Sequence, residues 1–285
     1  MLGEQTLADR SIGAIIAETR NLSADQVERI LSHQRTHGVR FGEAAIALGF
    51  ASADDVMFAL AQQFHYPYVL GDEGKLNPEL VVLNQPFGVQ AESVRAIRSQ
   101  LMMRLFNDAQ PRRAVAVISP DVGDGKTFFA ANLAVALAQL GGRTLLVDAD
   151  MRSPRLHQVF GLDNKVGLSG ILSGRAESQV IRQIPSVPSL FVLPVGATPP
   201  NPVELVERPA FGLLIRELVA KFDHVVVDTP AAQLGSDAAV IAARSGAALV
   251  VARRNSSRLQ ALAGMLADVA DSPAVMVGAV INDHQ

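Results

Sequence analysis

The chain of 285 residues contains no cysteine, which excludes disulfide bonds and thiolate metal sites. It also lacks any run of about 18 consecutive apolar residues, the length that a membrane-spanning helix needs. The longest apolar helix candidate, residues 128–140, is interrupted by Asn132 and Gln139. The first ten residues have neither the basic nor the apolar segment of a secretory signal peptide. The lack of cysteine suits the cytoplasm, and we expect any work at a membrane to be done through a partner.

An excess of charge of either sign is also missing. The chain has 25 Lys and Arg residues against 28 Asp and Glu residues, a net charge of -3. This balance gives no electrostatic reason to expect a nucleic acid as the main partner. Hydrophobic residues make up 49% of the chain and charged residues 19%, which is ordinary globular composition. The length favours two domains.

The first 70 residues contain an internal repeat. Gly13 aligns with Gly42, an offset of 42 − 13 = 29 residues, and at this offset a Ser-Ala-Asp triplet recurs. Each triplet begins with a serine, Ser23 or Ser52, in the position of a helix N-cap, and apolar residues follow at helical spacing. The repeat predicts a small domain over residues 1–70 in which a helical pair is used twice. Residues 71–88 are turn-rich and without periodicity, which indicates a linker.

Residues 89–285 alternate between apolar runs and helical patterns. Continuous apolar runs are typical of strands that are buried on both faces of a parallel sheet. The sequence therefore predicts an α/β fold, a P-loop NTPase domain with a mostly parallel, doubly wound sheet, preceded by the small helical repeat domain. The predicted strands are Ala114–Ile118, Thr144–Val147, Leu190–Leu193, Val225–Val227, Ala247–Val251 and Val275–Ile281.

A glycine-containing loop, SPDVGDGKT, connects the first predicted strand to the next helix. A phosphate group needs backbone N–H groups that point at it, glycines that let the chain approach, and a helix N-terminus behind. In such a loop Lys126 contacts the β- and γ-phosphates, and the Thr127 hydroxyl binds Mg²⁺. Pro120 stands where the strict pattern has glycine, so this loop is a variant. The predicted ATP-binding residues are Asp121, Val122, Gly123, Asp124, Gly125, Lys126, Thr127 and Phe128.

Three carboxylates follow predicted strands. Asp148 and Asp150 are two residues apart, so both side chains point the same way on an extended segment. Asp228 ends another strand, and the carboxyl ends of parallel strands meet at the edge where α/β sheets bind ligands. A single aspartate at a strand end is more often a helix cap, but three beside a phosphate loop favour a Mg²⁺ site.

These motifs resemble the bacterial tyrosine kinase (BY-kinase) family over residues 88–282, and the layout is similar to EpsG-type chain-length determinant kinases. The resemblance also rests on the stretches LLVDADMRSPRLHQVFGL, GLSGILSG, LPVGATPPNPVELV and VGAVIN. It implies an ATP- and Mg²⁺-dependent tyrosine kinase that regulates exopolysaccharide chain length, polymerisation and export. The implied partner is a membrane-bound polysaccharide chain-length (Wzz-type) protein. Asn282, at the end of VGAVIN, is implied to contact the nucleotide.

The resemblance also assigns roles to the carboxylates. Asp150 and Asp228 support the metal, and Asp148 either accepts the proton of the substrate hydroxyl or belongs to the metal shell. The chemistry would be in-line transfer of the γ-phosphoryl group.

The stretch Glu92-x-x-Arg95-x-x-Arg98 matches the family's ExxRxxR element, which joins subunits into rings. A spacing of three puts the charges on one helix face. The alternative is a solvated helix face.

The family usually carries a C-terminal tyrosine cluster, whereas the only tyrosines among these 285 residues are Tyr66 and Tyr68. We expect weak or absent autophosphorylation, with the acceptor tyrosine on a partner protein. The competing hypothesis is an ATPase switch of the MinD and ParA kind, although the signature lysine of that class is replaced by Asp121. A catalytically idle nucleotide-sensing scaffold is the third alternative.

The repeat resembles the N-terminal (MshEN-type) domain of type II secretion and pilus ATPases, some of which bind cyclic di-GMP. The second copy keeps most of the pattern in Arg40, Gly42 and Gly49. The first copy has Ser11 and Arg20 where the arginine and a glycine belong. Cyclic dinucleotide binding and protein docking both remain open for this domain.

Overall fold

The computed structural model describes residues 11–63, 77–107, 111–175 and 179–283. The chain divides into two compact units, Met1–Lys75 and Leu76–Gln285. The predicted linker, 71–88, therefore ends too late. Leu80 and Val82 are completely buried in the core of the second unit, and the Val82 N–H donates to the side chain of Asn132, 3.0 Å away. The prediction was wrong here because the helix in this stretch has only four residues, too few to show a period.

The first unit contains four helices in its described part, and the N-caps that the repeat predicted are present. The Ser23 hydroxyl accepts from the N–H of Gln26, whose side chain accepts from the Ser23 N–H. At the related position Ser52 and Asp55 exchange the same two bonds, at 2.7 and 3.2 Å. Ile16, Ile30 and small alanines form the core. The helices are α1 (Ile12–Thr19), α2 (Ala24–His37), α3 (Phe41–Ala47) and α4 (Ala53–Gln63).

The second unit is built on a seven-stranded sheet with the order β3-β4-β2-β5-β1-β6-β7. Neighbouring strands are parallel except β3 and β4, which are antiparallel. The sequence missed β3 because it has only three residues, two of them polar. The strands are β1 (Ala114–Ile118), β2 (Thr144–Asp148), β3 (Arg182–Ile184), β4 (Val187–Leu193), β5 (His224–Asp228), β6 (Gly246–Arg253) and β7 (Val275–Asn282).

Helices cover both faces of this sheet, which confirms the predicted doubly wound fold. Val115 and Val117 of β1 belong to one core cluster, whereas Ala114, Ala116 and Ile118 belong to the other, as the alternation of side chains along a strand requires. The helices are α5 (Val81–Asn84), α6 (Val89–Arg104), α7 (Lys126–Ala138), α8 (Leu156–Val159), α9 (Leu168–Leu172), α10 (Pro202–Glu207), α11 (Pro209–Lys221), α12 (Asp237–Ser245) and α13 (Leu259–Ala270).

The strand order brings the carboxyl ends of β1, β2 and β5 together. β5 lies between the other two and pairs with both, so the loop that follows β1 comes to the same edge as the carboxylates that follow β2 and β5. Within the described ranges, no helix combines the length and apolar composition needed to cross a bilayer.

Candidate nucleotide-binding site

The loop between β1 and α7 needs glycine at two positions. Gly123 and Gly125 have φ angles of 88° and 95°, a left-handed conformation that other residues rarely adopt. A Cβ atom at Gly125 would also collide with the side-chain amide of Asn282. No side chain caps the N-terminus of α7, so its first backbone N–H groups are available to an anion.

A buried aspartate holds the loop in shape. The Asp124 carboxylate accepts from the Asp121 N–H, 2.9 Å away, and from the Ser257 hydroxyl, 2.7 Å away. Asn282 donates its amide N–H to the Asp124 carbonyl oxygen, at 3.0 Å. Asp124 and Asn282 thus support the loop, and the nucleotide contact that the sequence assigned to them stays a prediction. Sequence reasoning missed Ser257, because nothing local marks a contact that spans 133 residues.

The three predicted carboxylates converge beside this loop. Asp148 and Asp228 are paired neighbours on β2 and β5, and both are fully buried. The Thr127 hydroxyl donates to Oδ2 of Asp228 at 2.7 Å, whereas Oδ1 of Asp228 is buried and has no hydrogen-bond partner in the described part of the chain. Both oxygens of Asp148 accept backbone N–H groups, from Asp150 and Leu156.

Two of these carboxylates are costly to ionise in the folded protein. Burial raises the pKa of Asp148 well above its usual range, and the charge of Asp228 raises it further. Burial also raises the pKa of Asp228 to about 7, against the opposing effects of the Thr127 hydrogen bond and the Lys126 charge. A bound cation would reduce the repulsion between the ionised carboxylates.

The residues present fit a magnesium nucleotide. Oδ1 of Asp228 is an unused oxygen ligand next to the Thr127 hydroxyl. In the part of the chain that the structure describes, no three His, Cys, Asp or Glu side chains form a metal site by themselves. Mg²⁺ would therefore complete its shell with phosphate oxygens and water, as it does in phosphate-binding enzymes.

A cavity of about 250 Å³ lies in front of the loop. Lys126, Thr127 and Asp150 line this cavity, whereas Asp148 and Asp228 are fully buried and are not among its lining residues. Ser153 and Arg155 also line this cavity, but the sequence analysis did not predict them. Their position just after the DxD strand end was the sequence feature that could have identified them. The predicted residues Val122 and Phe128 are in the wall too.

An adjoining cavity of about 480 Å³ shares Gly123, Gly125, Phe128 and Arg155 with the first and includes Asn282. Arg155 stands between the two and forms an ion pair with Glu79 at 2.5 Å. Together, these two adjoining cavities provide room for a triphosphate and for a base with its ribose.

Other predicted site residues lie elsewhere. The two arginines of the ExxRxxR element contact their own unit: Arg95 is buried and bonds Glu92 and the Pro86 carbonyl, and Arg98 donates to the Ala136 carbonyl at 3.0 Å. The Glu92 side chain is 74% exposed. The oligomer interface stays a prediction.

In the first unit, the predicted dinucleotide residues have local structural roles. Arg40 is exposed at the N-cap of α3. A Cβ at Gly42 would lie 2.8 Å from Val56, and Gly49 has a φ of 71°. Ligand binding there stays a prediction. Tyr66 and Tyr68 lie outside the described residues.

The geometry agrees with known proteins. The family model for the CobQ/CobB/MinD/ParA nucleotide binding domain matches residues 115–285. Tyrosine-protein kinase Ptk of Acinetobacter johnsonii is 31% identical over 74% of this chain, which spans only 28% of the length of that relative. Tyrosine-protein kinase YwqD of Bacillus subtilis is 31% identical, with 73% of this chain and 87% of the relative covered.

Solved structures show the same fold. The kinase domain of Escherichia coli tyrosine kinase ETK superposes with a TM-score of 0.67 at 28% identity, covering 74% of this chain and 84% of that domain. The chimerical protein CapA2B2 gives a TM-score of 0.67 at 31% identity, with coverages of 75% and 92%. The septum site-determining protein MinD of Pyrococcus horikoshii, complexed with Mg-ADP, gives 0.51 at 28% identity, with coverages of 60% and 70%.

Proposed function

Because the chain belongs to the bacterial tyrosine kinases, within the CobQ/CobB/MinD/ParA nucleotide-binding family, we propose that it transfers the γ-phosphoryl group of ATP to a tyrosine hydroxyl of another protein. The observation that carries this proposal is the Thr127–Asp228 hydrogen bond with the unused Asp228 Oδ1 beside it, directly below the phosphate loop. This arrangement suits a metal-bound triphosphate.

Each side chain has a distinct part in this proposal. When bound, ATP would supply the transferable phosphoryl group and Mg²⁺ would offset the negative charge on its oxygens. The N–H groups at the start of α7 and the Lys126 ammonium orient the phosphates, and Asp228 fixes the Thr127 hydroxyl. Asp148 is fully buried and accepts two backbone N–H groups, so we assign it to positioning the segment that carries Asp150.

Asp150 is the carboxylate that can meet a substrate. It lines the cavity, and its Oδ1 accepts the N–H groups of Arg152 and Ser153, at 3.1 and 2.9 Å. This leaves Oδ2 for the incoming hydroxyl or for the cation. We therefore assign the role of proton acceptor to Asp150 rather than to Asp148.

A specific contact favours the kinase over a MinD-like ATPase switch. The position of the switch's signature lysine is occupied by Asp121, which forms an ion pair with Arg258 of the same chain at 3.1 Å. A carboxylate here cannot stabilise a phosphate as a lysine would, because it repels the anion.

Incubation with labelled ATP tests the proposal. The chain is assayed with a Glu–Tyr copolymer and with the cytoplasmic segment of a candidate membrane partner, and phosphotyrosine is located by mass spectrometry. We expect phosphotyrosine on an added protein, and its loss in Asp150→Asn. ATP hydrolysis without phosphotyrosine on any protein would favour the switch. Tyr66→Phe with Tyr68→Phe is the control for self-phosphorylation, because no acceptor tyrosine remains in that chain.

We also propose that the kinase acts in exopolysaccharide assembly, at the inner membrane, together with a membrane-bound chain-length protein. The support is the similarity of its motifs to those of EpsG-type kinases. A host strain carrying Lys126→Ala should produce polysaccharide with an altered length distribution, measured by gel filtration. An unchanged distribution would contradict this role without affecting the phosphotransfer proposal.

A further inference from the structure

Another cavity, of about 380 Å³, lies at the opposite end of the sheet from the nucleotide site. It is formed where α11 passes the end of α12, at the amino end of β1. Gly246, which follows α12, lines it and pairs with Ala114, the first residue of β1. The five residues of β1 put roughly 16 Å between this end of the sheet and the phosphate loop. The nucleotide site and this cavity are therefore separate.

Four arginines surround this cavity: Arg112, Arg113, Arg216 and Arg244. A Cβ placed on Gly212 would lie 3.8 Å from Nη1 of Arg216 and 3.8 Å from Nη1 of Arg244, so these guanidinium nitrogens are at most twice that distance apart. The stem of Arg113 packs on Gly246. We call this site the arginine cavity.

No carboxylate among the described residues balances the positive charge of the arginine cavity. Among the described residues, none of the four guanidinium groups has a carboxylate within 4.0 Å. The nearby carboxylates have other partners: Glu217 pairs with Lys221, and Asp223 accepts the N–H of Arg143. The C-terminus of α12 supplies about half a negative charge, which accounts for one arginine at most. Four like charges gathered without a counter-charge repel one another.

A buried hydroxyl group in the wall of the arginine cavity distinguishes it from an ordinary basic surface. Ser245 is only 3% exposed, it lines the cavity, and its Oγ has no hydrogen-bond partner among the residues that the structure describes. A buried hydroxyl without a partner is costly, and most such groups in proteins are satisfied. A ligand in the cavity would supply the missing partner.

We propose that the arginine cavity binds a phosphate-bearing anion. The guanidinium fork matches phosphate oxygens with two parallel hydrogen bonds, and the Ser245 hydroxyl donates to a further oxygen. The volume lies in the range of small-molecule sites. The phosphate comes either from a soluble phosphorylated compound or from the headgroup of an anionic phospholipid.

The test uses two probes and the full chain with Lys126→Ala, which removes competition from the phosphate loop. Inorganic pyrophosphate without Mg²⁺, measured by calorimetry, represents the soluble source. Flotation with vesicles of phosphatidylcholine and phosphatidylglycerol represents the lipid. Binding of either probe is expected to weaken by about tenfold or more in Arg216→Gln with Arg244→Gln. The charge-matched control, Arg35→Gln with Arg104→Gln, removes two exposed arginines elsewhere and should bind as the parent does.

Ser245→Ala keeps every charge and so tests the cavity itself. We expect severalfold weaker binding, with no fall in the melting temperature, since a buried unsatisfied hydroxyl is removed. This variant also decides the question if the double arginine variant does not fold. Equal binding by the parent and Ser245→Ala, equal losses in the cavity and control arginine variants, or no binding of either probe by the parent would each overturn the proposal. Binding of one probe alone identifies the source.

Discussion

Both units of this protein carry glycines and a basic residue in patterns associated with phosphate ligands. The burial and packing of these residues differ between the two units. In the second unit, Lys126 is only 7% exposed and lies among buried carboxylates that packing alone would not select. In the first unit, Arg40 is exposed, and Gly42 is required by the close approach of Val56. A buried charged side chain that packing does not explain indicates a bound ligand. A residue whose position is explained by packing gives no such indication.

Substitution of Lys126 in the second unit and of Arg40 in the first tests this comparison of the two units most directly. We expect Lys126→Ala to weaken Mg-ATP binding by a factor of about 100 or more, because charge-assisted bonds to the phosphates are lost. Arg40→Ala should leave Mg-ATP binding unchanged. Calorimetry measures both affinities, and circular dichroism checks that the fold is retained. Unchanged ATP affinity and turnover in Lys126→Ala would refute the site.

The pH dependence of stability should have opposite signs in the two units. Because the pKa of Asp228 is raised in the folded protein, the folded state binds more protons than the unfolded chain between about pH 4 and 7. The free energy of unfolding of the second unit should thus fall as pH rises through this window, by up to about 4 kcal/mol. Asp228→Asn should flatten the slope while Mg²⁺-dependent nucleotide binding is lost. Urea unfolding at several pH values measures the slope, and an unchanged slope would contradict the burial argument.

The repeat-related glycines provide a matched pair within the first unit. A Cβ at Gly42 would lie 2.8 Å from Val56, but a Cβ at Gly13 would meet the Phe41 ring at 3.4 Å. Gly42→Ala should therefore destabilise the first unit by about 1–3 kcal/mol through overpacking. Gly13→Ala should be neutral or stabilise it by up to about 1 kcal/mol, since alanine favours the helix. Thermal unfolding distinguishes them, and similar melting temperatures would show that the repeat packs less tightly than described.

The smallest effect is expected at Asp55. Burial raises the pKa of Asp55, but hydrogen bonds from Ser52 and the Arg20 guanidinium, 2.7 Å away, together hold it below its usual value. This carboxylate stabilises the first unit above the unfolded pKa, and its contribution is lost as pH falls through the lowered folded pKa. Arg20→Ala should cost about 1 kcal/mol or less, because the arginine is half exposed. Acid titration of the unfolding free energy tests this: the loss of stability on acidification should be smaller in Arg20→Ala and Ser52→Ala than in the parent, and smallest in Ser52→Ala, because Ser52 lowers the pKa of Asp55 more than Arg20 does.

Several features could be predicted because they are local. The N-cap at Ser23 depends on a residue three positions away, and the glycine loop lies within nine residues of sequence. The continuous apolar runs located six strands to within a few residues. The features that were missed are short or distant. β3 and α5 are too short to show a period, and Ser257 reaches Asp124 across 133 residues.

The sequence by itself determined which groups this protein brings to its chemistry: a phosphate loop with Lys126 and Thr127, and carboxylates at the ends of two strands. Only the tertiary structure decided where each carboxylate lies. The order β2-β5-β1 places Asp228 against Thr127, 101 residues away along the chain, buries Asp148 behind it and leaves Asp150 in the cavity wall. The physical reason is that helical and strand periods, caps and turns act over a few residues, whereas burial and the pKa of a carboxylate depend on which distant strands lie beside it.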